Sequence, residues 1–330
     1  MRRRAFLGII GGAAAWPISA RAQQKVVRIA ILAGDLIASH EDEALVAGLR
    51  EQGLVEGHNL IIERRYANGR LEMVPEFARE LAGLKLNAVV STCTPTTRAA
   101  QQAFGTLPDS TPIVMAAVAD PVGQRIIASL ARPGANVTGL ASQADDILPK
   151  KLSLFAEVLP AKATVAVLSD RSSDVHPNMW RTLEPLATGL NIRLVQVQAG
   201  RKPGQASLQE AFDAAARQQA SGIFVLSDEP FFFARRDEIV ALADKHRLPT
   251  FYGLREFVDV GGLMSYGESM RGAYRRVATY IAKIAEGNKP RDLPVAQPTA
   301  FEFVINLRTA KALGITLSPV LLALADEVIE

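Results

Sequence analysis

The chain lacks most of the residue patterns that mark enzymes, metal sites and membrane proteins. Its 330 residues hold a single cysteine, Cys93, so no disulfide can form within it. Aromatic residues make up 6%, which argues against a lectin-like or base-stacking surface. Beyond the first 22 residues no apolar run reaches the roughly 18–20 residues that span a bilayer, so no stable membrane insertion is expected. No GxxxxGK[ST], HExxH, GxSxG or CxxC occurs. His40, His58, His176 and His246 stand at spacings that make no metal site, and no cofactor or metal is expected. Charge of one sign is also missing. Residues 1–22 carry Arg2, Arg3, Arg4 and Arg21 and no acid, and setting them aside takes the net charge from +3 to −1. A near-neutral chain has no electrostatic reason to seek nucleic acid or anionic lipid.

What is present is an ordinary globular mixture, 48% hydrophobic and 22% charged, long enough for about two domains. The first 22 residues read as an export signal: a basic start, a Gly/Ala-rich apolar stretch from Phe6 to Ile18, and the small-x-small triplet Ala20-Arg21-Ala22. Arg3-Arg4-Ala5-Phe6-Leu7 is similar to the twin-arginine motif, with an ordinary secretory signal as the alternative. Cleavage is expected near Ala22 and Gln23. No cysteine stands there to carry a lipid anchor, so the expected product is a free periplasmic protein.

After the leader, short Val/Ile/Leu runs recur between turn residues: Val26–Leu32, Leu60–Tyr66, Ala88–Thr92, Ile113–Val118 and Val137–Leu140. A second series follows: Thr164–Ser169, Ile192–Val197, Gly222–Ser227, Pro249–Tyr252, Leu263–Tyr266 and Phe301–Ile305. Continuous apolar runs suit strands buried on both faces of a parallel sheet. Between them lie stripes at helical spacing, such as Met73, Val74, Phe77, Ala78, Leu81 and Ala82, or Tyr274, Val277, Ala278, Ile281 and Ile284. The pattern predicts an α/β protein of two doubly wound lobes, with a break near residues 138–149. Ala88–Pro95 and Gly222–Pro230 look like two copies of one strand-to-helix unit.

Ligands in such sheets sit beyond the carboxyl ends of the strands, so the residues there are the candidates. Ser91-Thr92-Cys93-Thr94-Pro95-Thr96-Thr97 gathers hydroxyls where a helix begins, a place that suits either an anion or simple N-capping. Asp120, Asp170 with Ser172, and Asp228 follow strands in the same way, and capping is the alternative for the acids too. Tyr252 ends a strand and would either wall a ligand or pack in the core. Phe231-Phe232-Phe233 cannot all face one core on a regular helix, so one is expected to face a cleft. Cys93 reads as a small buried filler, and His246 as the end of a helix.

Several fragments, in order, resemble the substrate-binding-protein family of ABC importers that includes the tryptophan/tyrosine-binding proteins. They are Gly48–Asn59, the Ser91–Pro95 loop, Asp120–Gly123, Ser129–Gly139, Gly261–Gly267, Pro298-Thr299, Val304–Leu307 and Thr309–Gly314. The resemblance implies a type I periplasmic-binding-protein fold with a three-segment hinge. Lobe 1 would hold 25–140 plus 267–294, and lobe 2 would hold 141–266 plus 295–330. It implies a monomer that captures a small polar ligand, an amino acid or related carboxylate, and serves an ABC permease and ATPase. The ligand-facing residues would be Ser91, Thr92, Thr94, Thr96, Asp120, Asp170, Ser172, Asp228 and Tyr252. Thr94 and Thr96 would hold a carboxylate, Asp120 and Asp228 an ammonium or hydroxyls, and Tyr252 the ligand body. Where amino-acid-binding members tend to carry an Asp-Asn-Thr-like stretch, this chain reads Ser227-Asp228-Glu229-Pro230. A periplasmic protein feeding a receptor is the alternative function. An exported α/β isomerase or hydrolase would need a catalytic cluster that the sequence does not display.

Overall fold

The structure is a computed structural model. It describes residues 26–34, 39–144, 146–173, 175–200, 204–226 and 230–330. The expected export signal lies outside the described residues, as does Asp228.

Strands and helices alternate from the start: β1 (Val27–Ala33), α1 (Ser39–Glu51), β2 (Leu60–Tyr66), α2 (Val74–Ala82), β3 (Ala88–Ser91), α3 (Thr94–Phe104), β4 (Ile113–Ala119) and β5 (Val137–Ser142). These strands form a parallel five-stranded sheet in the order β2-β1-β3-β4-β5. The second run is α4 (Leu148–Ala156), β6 (Thr164–Asp170), α5 (His176–Gly189), β7 (Arg193–Ala199), α6 (Leu208–Arg217), β8 (Gly222–Val225), α7 (Pro230–Ala234), α8 (Arg236–Lys245), β9 (Thr250–Tyr252), α9 (Glu256–Asp259) and β10 (Met264–Glu268). Its strands join a seven-stranded sheet, β12-β11-β10-β9-β8-β6-β7. The chain ends through α10 (Met270–Ala285), β11 (Phe301–Asn306), α11 (Leu307–Leu313), α12 (Pro319–Leu324) and β12 (Glu327–Ile329).

Read from their first strands, the two sheets repeat one order: β7-β6-β8-β9-β10 matches β2-β1-β3-β4-β5. The two fragments that look alike in sequence fall on matching positions, β3 into α3 and β8 into α7. Both faces of each sheet are covered, which is why the strands read as unbroken apolar runs. Along β1, Ile29, Ile31 and Ala33 enter one cluster with α1 and α10, while Ala30 and Leu32 enter another with α2 and α3. Along β6, Val165 and Val167 face α4 and α5, and Ala166 and Leu168 face α6 and α8. This is the two-residue period of a pleated strand buried on both sides.

The chain passes between the sheets at three places. It leaves the first sheet after β5, comes back from β10 into α10, and crosses again before β11. Helix α10 belongs with the first sheet, where Tyr274, Val277, Ala278 and Ile281 share a core with Leu45 and Leu49. That return reverses the chain, so β11 is the strand that runs antiparallel, against β10. The crossings are bonded to one another. Ala141 N–H donates to Ala296 O at 2.9 Å, and Ala296 N–H donates to Gly139 O at 3.0 Å. The Glu268 carboxylate at the end of β10 accepts from Ser142 Oγ and Gln143 N–H, each at 2.7 Å.

Candidate functional site

A cleft opens between the two sheets, at the carboxyl ends of their parallel strands. The first sheet lines it with Thr92, Cys93, Thr94, Pro95, Ala117, Ala119 and Gln124. The second lines it with Ala144, Ile147, Lys151, Ser172, Ser173, Val175, Met179, Pro230, Phe233, Gly253 and Leu254. Glu41 of α1, Gly267 and Glu268 of β10, and Met270 and Tyr274 of α10 complete it. Hydroxyls come from both sides, Thr92 and Thr94 with Ser172 and Ser173, beside the apolar Ile147, Val175, Met179, Phe233 and Leu254, a mixture that suits a small ligand with a polar head and an apolar body.

The loop from β3 into α3 divides its hydroxyls between two tasks. Thr92 and Thr94 line the cleft. Among the described residues the Thr94 hydroxyl has no hydrogen-bond partner, and it sits at the first turn of an eleven-residue helix. The other hydroxyls are committed inside the lobe, as in part is that of Thr92, which accepts from Gly34 N–H at 3.3 Å. Thr96 Oγ1 accepts from Thr92 N–H at 3.1 Å and from Cys93 N–H at 3.0 Å, and donates to Cys93 O at 2.8 Å. Ser91 Oγ pairs with Thr97 Oγ1 at 2.8 Å. Ser91 and Thr96 therefore cap and brace α3, and neither lines the cleft. Cys93 is half-buried and lines the cleft, so it is more than a core filler.

Asp120 is likewise turned to local work. It holds a φ of +37°, and its Oδ1 accepts from Gly123 N–H at 2.8 Å to close its own turn. Its neighbour Ala119 lines the cleft and Asp120 does not. Asp170 is 1% exposed, and its Oδ1 accepts from Ser172 N–H at 2.8 Å and from Ser172 Oγ at 2.6 Å. It thus positions Ser172, which does line the cleft, without lining it. Asp170 N–H also donates to Nδ1 of buried His176 at 2.8 Å, fixing the start of α5.

Tyr252 is fully buried and stacks on Phe257, ring centroids 4.6 Å apart at 15°. It belongs to the core between β9 and α8, and burial pushes its phenol pKa up. The next residue, Gly253, reaches the cleft in its place. All three of Phe231, Phe232 and Phe233 are buried in one cluster, against the expectation from helical geometry. Helix α7 has only five residues and is wrapped by neighbours, so its residues need not share a face. Phe233 also lines the cleft. His246 caps the end of α8 as expected.

Sequence reasoning missed Glu41, Lys151 and Glu268. Lys151 carried a signal: it stands on the stripe Leu148, Lys151, Leu152, Phe155, where every other position is apolar. Glu41 and Glu268 carried none, since their surroundings depend on residues far away in the chain. A further acid lies close behind. Burial, and second the nearby Glu41, push the Glu256 carboxyl from 4.5 up to about 8. Among the described residues no group of three or more His, Cys, Asp or Glu is placed to hold a metal. Nor, among them, is any helix long and apolar enough to cross a membrane.

This geometry agrees with what the chain is similar to. A family profile described as ABC transporter substrate binding protein matches residues 26–329. A tyrosine-binding protein of Clostridioides difficile is 23% identical over 295 residues, covering 88% of this chain and 81% of that protein. A crystal structure of a conserved domain protein from Vibrio cholerae is 28% identical with a TM-score of 0.81, covering 92% of this chain and 100% of that one. A Streptococcus pneumonia ABC domain in complex with L-Trp is 23% identical with a TM-score of 0.76, covering 91% of this chain and 100% of that one. Proteins of this kind bind solutes outside the cytoplasm and are not enzymes. With the profile spanning residues 26–329 of its 330, the chain belongs to the ABC transporter substrate-binding protein family.

Proposed function

We propose that the chain is the solute-binding subunit of an ABC importer that encloses one amino acid, or a related small carboxylate, in the cleft between its lobes. The single observation that carries this reading is that both sheets line one cleft, with the unpartnered Thr94 hydroxyl at the start of α3 on one side and Met179, Phe233 and Leu254 on the other. The names of two similar proteins, one tyrosine-binding and one in complex with L-Trp, support an amino acid as the class. Thr92 and Thr94 on the first lobe and Ser172 on the second meet its polar groups. Met179, Phe233, Leu254 and Met270 enclose its body. Segments 25–140 with 267–294, and 141–266 with 295–330, move as two bodies about the three crossings. An open form binds on one lobe, and closure removes water from the ligand and strengthens its hydrogen bonds. A permease then recognises the closed form, whose population the ligand raises.

The protein works in the periplasm as a monomer. It is exported through the leader at residues 1–22, by the twin-arginine route, and is released near Ala22 and Gln23. The test is native mass spectrometry of gently purified protein, followed by a thermal-shift screen of the twenty L-amino acids. A ligand at about 100 times its Kd adds about 2.7 kcal/mol of stability. A protein that holds and binds no solute would end the proposal.

A further inference from the structure

Lys151 is the feature of the cleft that the fold itself does not explain. It sits on α4, whose Leu148, Leu152, Leu154 and Phe155 are buried in the second lobe's core. Lys151 is only 3% exposed, and it lines the cleft. Its backbone N–H completes a turn with Ile147 O at 2.9 Å. Its ammonium has no hydrogen-bond or ion-pair partner among the described residues. Most of the side chain is out of water, and a charge held at such a place without a partner costs the folded state. A chain that needed only packing there would carry the leucine or methionine that the rest of the stripe predicts.

Two acids share the cleft with it, Glu41 and Glu268, and neither is paired to Lys151. Glu268 accepts from Ser142 and Gln143 at the crossing. On the opposite wall stands the start of α3, with the uncommitted Thr94 hydroxyl and a helix end that favours negative charge. The cleft therefore offers positive character from both lobes: a helix end on the first, a full charge on the second.

We infer that Lys151 is the second lobe's anchor for the ligand's carboxylate, completing on closure a site that Thr94 and the start of α3 begin. This inference rests on the reading of the cleft as a solute site, and deepens it by naming the charge that the ligand must carry. A ligand without a carboxylate leaves the Lys151 charge buried and uncompensated, so it does not stabilise the closed form.

The experiment compares wild type, Lys151→Met and Lys151→Arg. The probes are the twenty L-amino acids and the carboxamide of each one that raises the melting temperature, with Kd values from calorimetry. Wild type is expected to prefer the acid over its carboxamide by at least about 30-fold, the scale of a buried charge pair losing one partner. Lys151→Met should lose about that much affinity for the acid, hold its affinity for the carboxamide, and so lose the preference. Lys151→Arg should retain most of it. Ligand-free Lys151→Met should melt no lower than wild type, which separates lost binding from lost folding. An acid-to-carboxamide preference unchanged in Lys151→Met would overturn the assignment. So would a wild-type protein whose co-purified ligand proves uncharged, an outcome that leaves the solute-binding reading standing. Wild type that holds no solute and binds none would instead remove both.

Discussion

Gly69 of the first lobe lies directly against Ala234 of the second: a Cβ built on Gly69 would stand 3.2 Å from the Ala234 Cβ. Nearby, a Cβ on Gly34 would stand 3.2 Å from Pro230 Cγ. The first lobe thus meets α7 with bare backbone, and the two lobes approach closely because those positions have no side chains. Gly69 also holds a φ of +77°, which other residues adopt only at a cost. Bulk is therefore best added from the other side. Ala234→Trp should hold the lobes apart without straining either. Affinity for the ligand is expected to fall at least about tenfold, while the ligand-free melting temperature stays within about 2 °C of wild type. Small-angle scattering with saturating ligand should show a particle wider than wild type. An unchanged Kd would mean that this contact takes no part in closure.

Asp170 is worth more to the fold than to direct recognition. Its buried carboxylate holds both the N–H and the hydroxyl of Ser172. Asp170→Ala should cost about 1–3 kcal/mol of stability and also weaken ligand binding, because Ser172 loses its support. Denaturant unfolding and calorimetry on the same preparation give both numbers. Tyr252→Phe provides the contrast. The ring is packed away from the cleft, so ligand affinity should stay within about twofold of wild type.

Glu256 ties stability to pH. Its carboxyl is raised from 4.5 to about 8, by burial first and then by Glu41, with Asp259 and Glu302 adding smaller repulsions. A raised carboxyl favours the folded state in its protonated form. Its contribution is thus fully present below about 4.5 and is lost as the pH rises through about 8. Glu41 belongs to α1 and Glu256 to α9, so the repulsion acts across the lobes. The melting temperature of wild type should decline between about pH 5 and about pH 9, and Glu256→Gln should flatten that decline. A parallel decline in the variant would assign it to other groups.

Cys93 supplies a reporter. It is the only cysteine in the chain, half-buried, and on the wall of the cleft. Alkylation by a small thiol reagent should run about tenfold slower or more with saturating ligand. Equal rates with and without ligand would mean that the solute does not cover this wall.

Much of the architecture was legible because buried parallel strands announce themselves as unbroken Val/Ile/Leu runs. β1, β2 and β6 fall almost where those runs stand. β12 was not legible, since Glu327–Ile329 is too short to show a pattern and exists by pairing with β11. The site was legible by loop and not by residue. The Ser91–Thr97 stretch does reach the cleft, but which hydroxyls turn inward is decided by the bonds around Cys93, which composition does not reveal. Asp170 and Ser172 stood out together, and only their geometry shows that one serves the other. Tyr252 and Gly253 are neighbours, and the pleat of a short strand decides which of them meets the cleft.

The backbone bonds that Ala296 makes with Gly139 and Ala141, with Glu268 gripping Ser142 and Gln143, make the three crossings a laced spine rather than three loose threads. Such a binding is expected to leave the halves one easy direction, the swing of a book's covers, and to resist shear along the seam. Loosening it, as Glu268→Ala would, should broaden the spread of angles the covers adopt at rest before it alters what the pages hold.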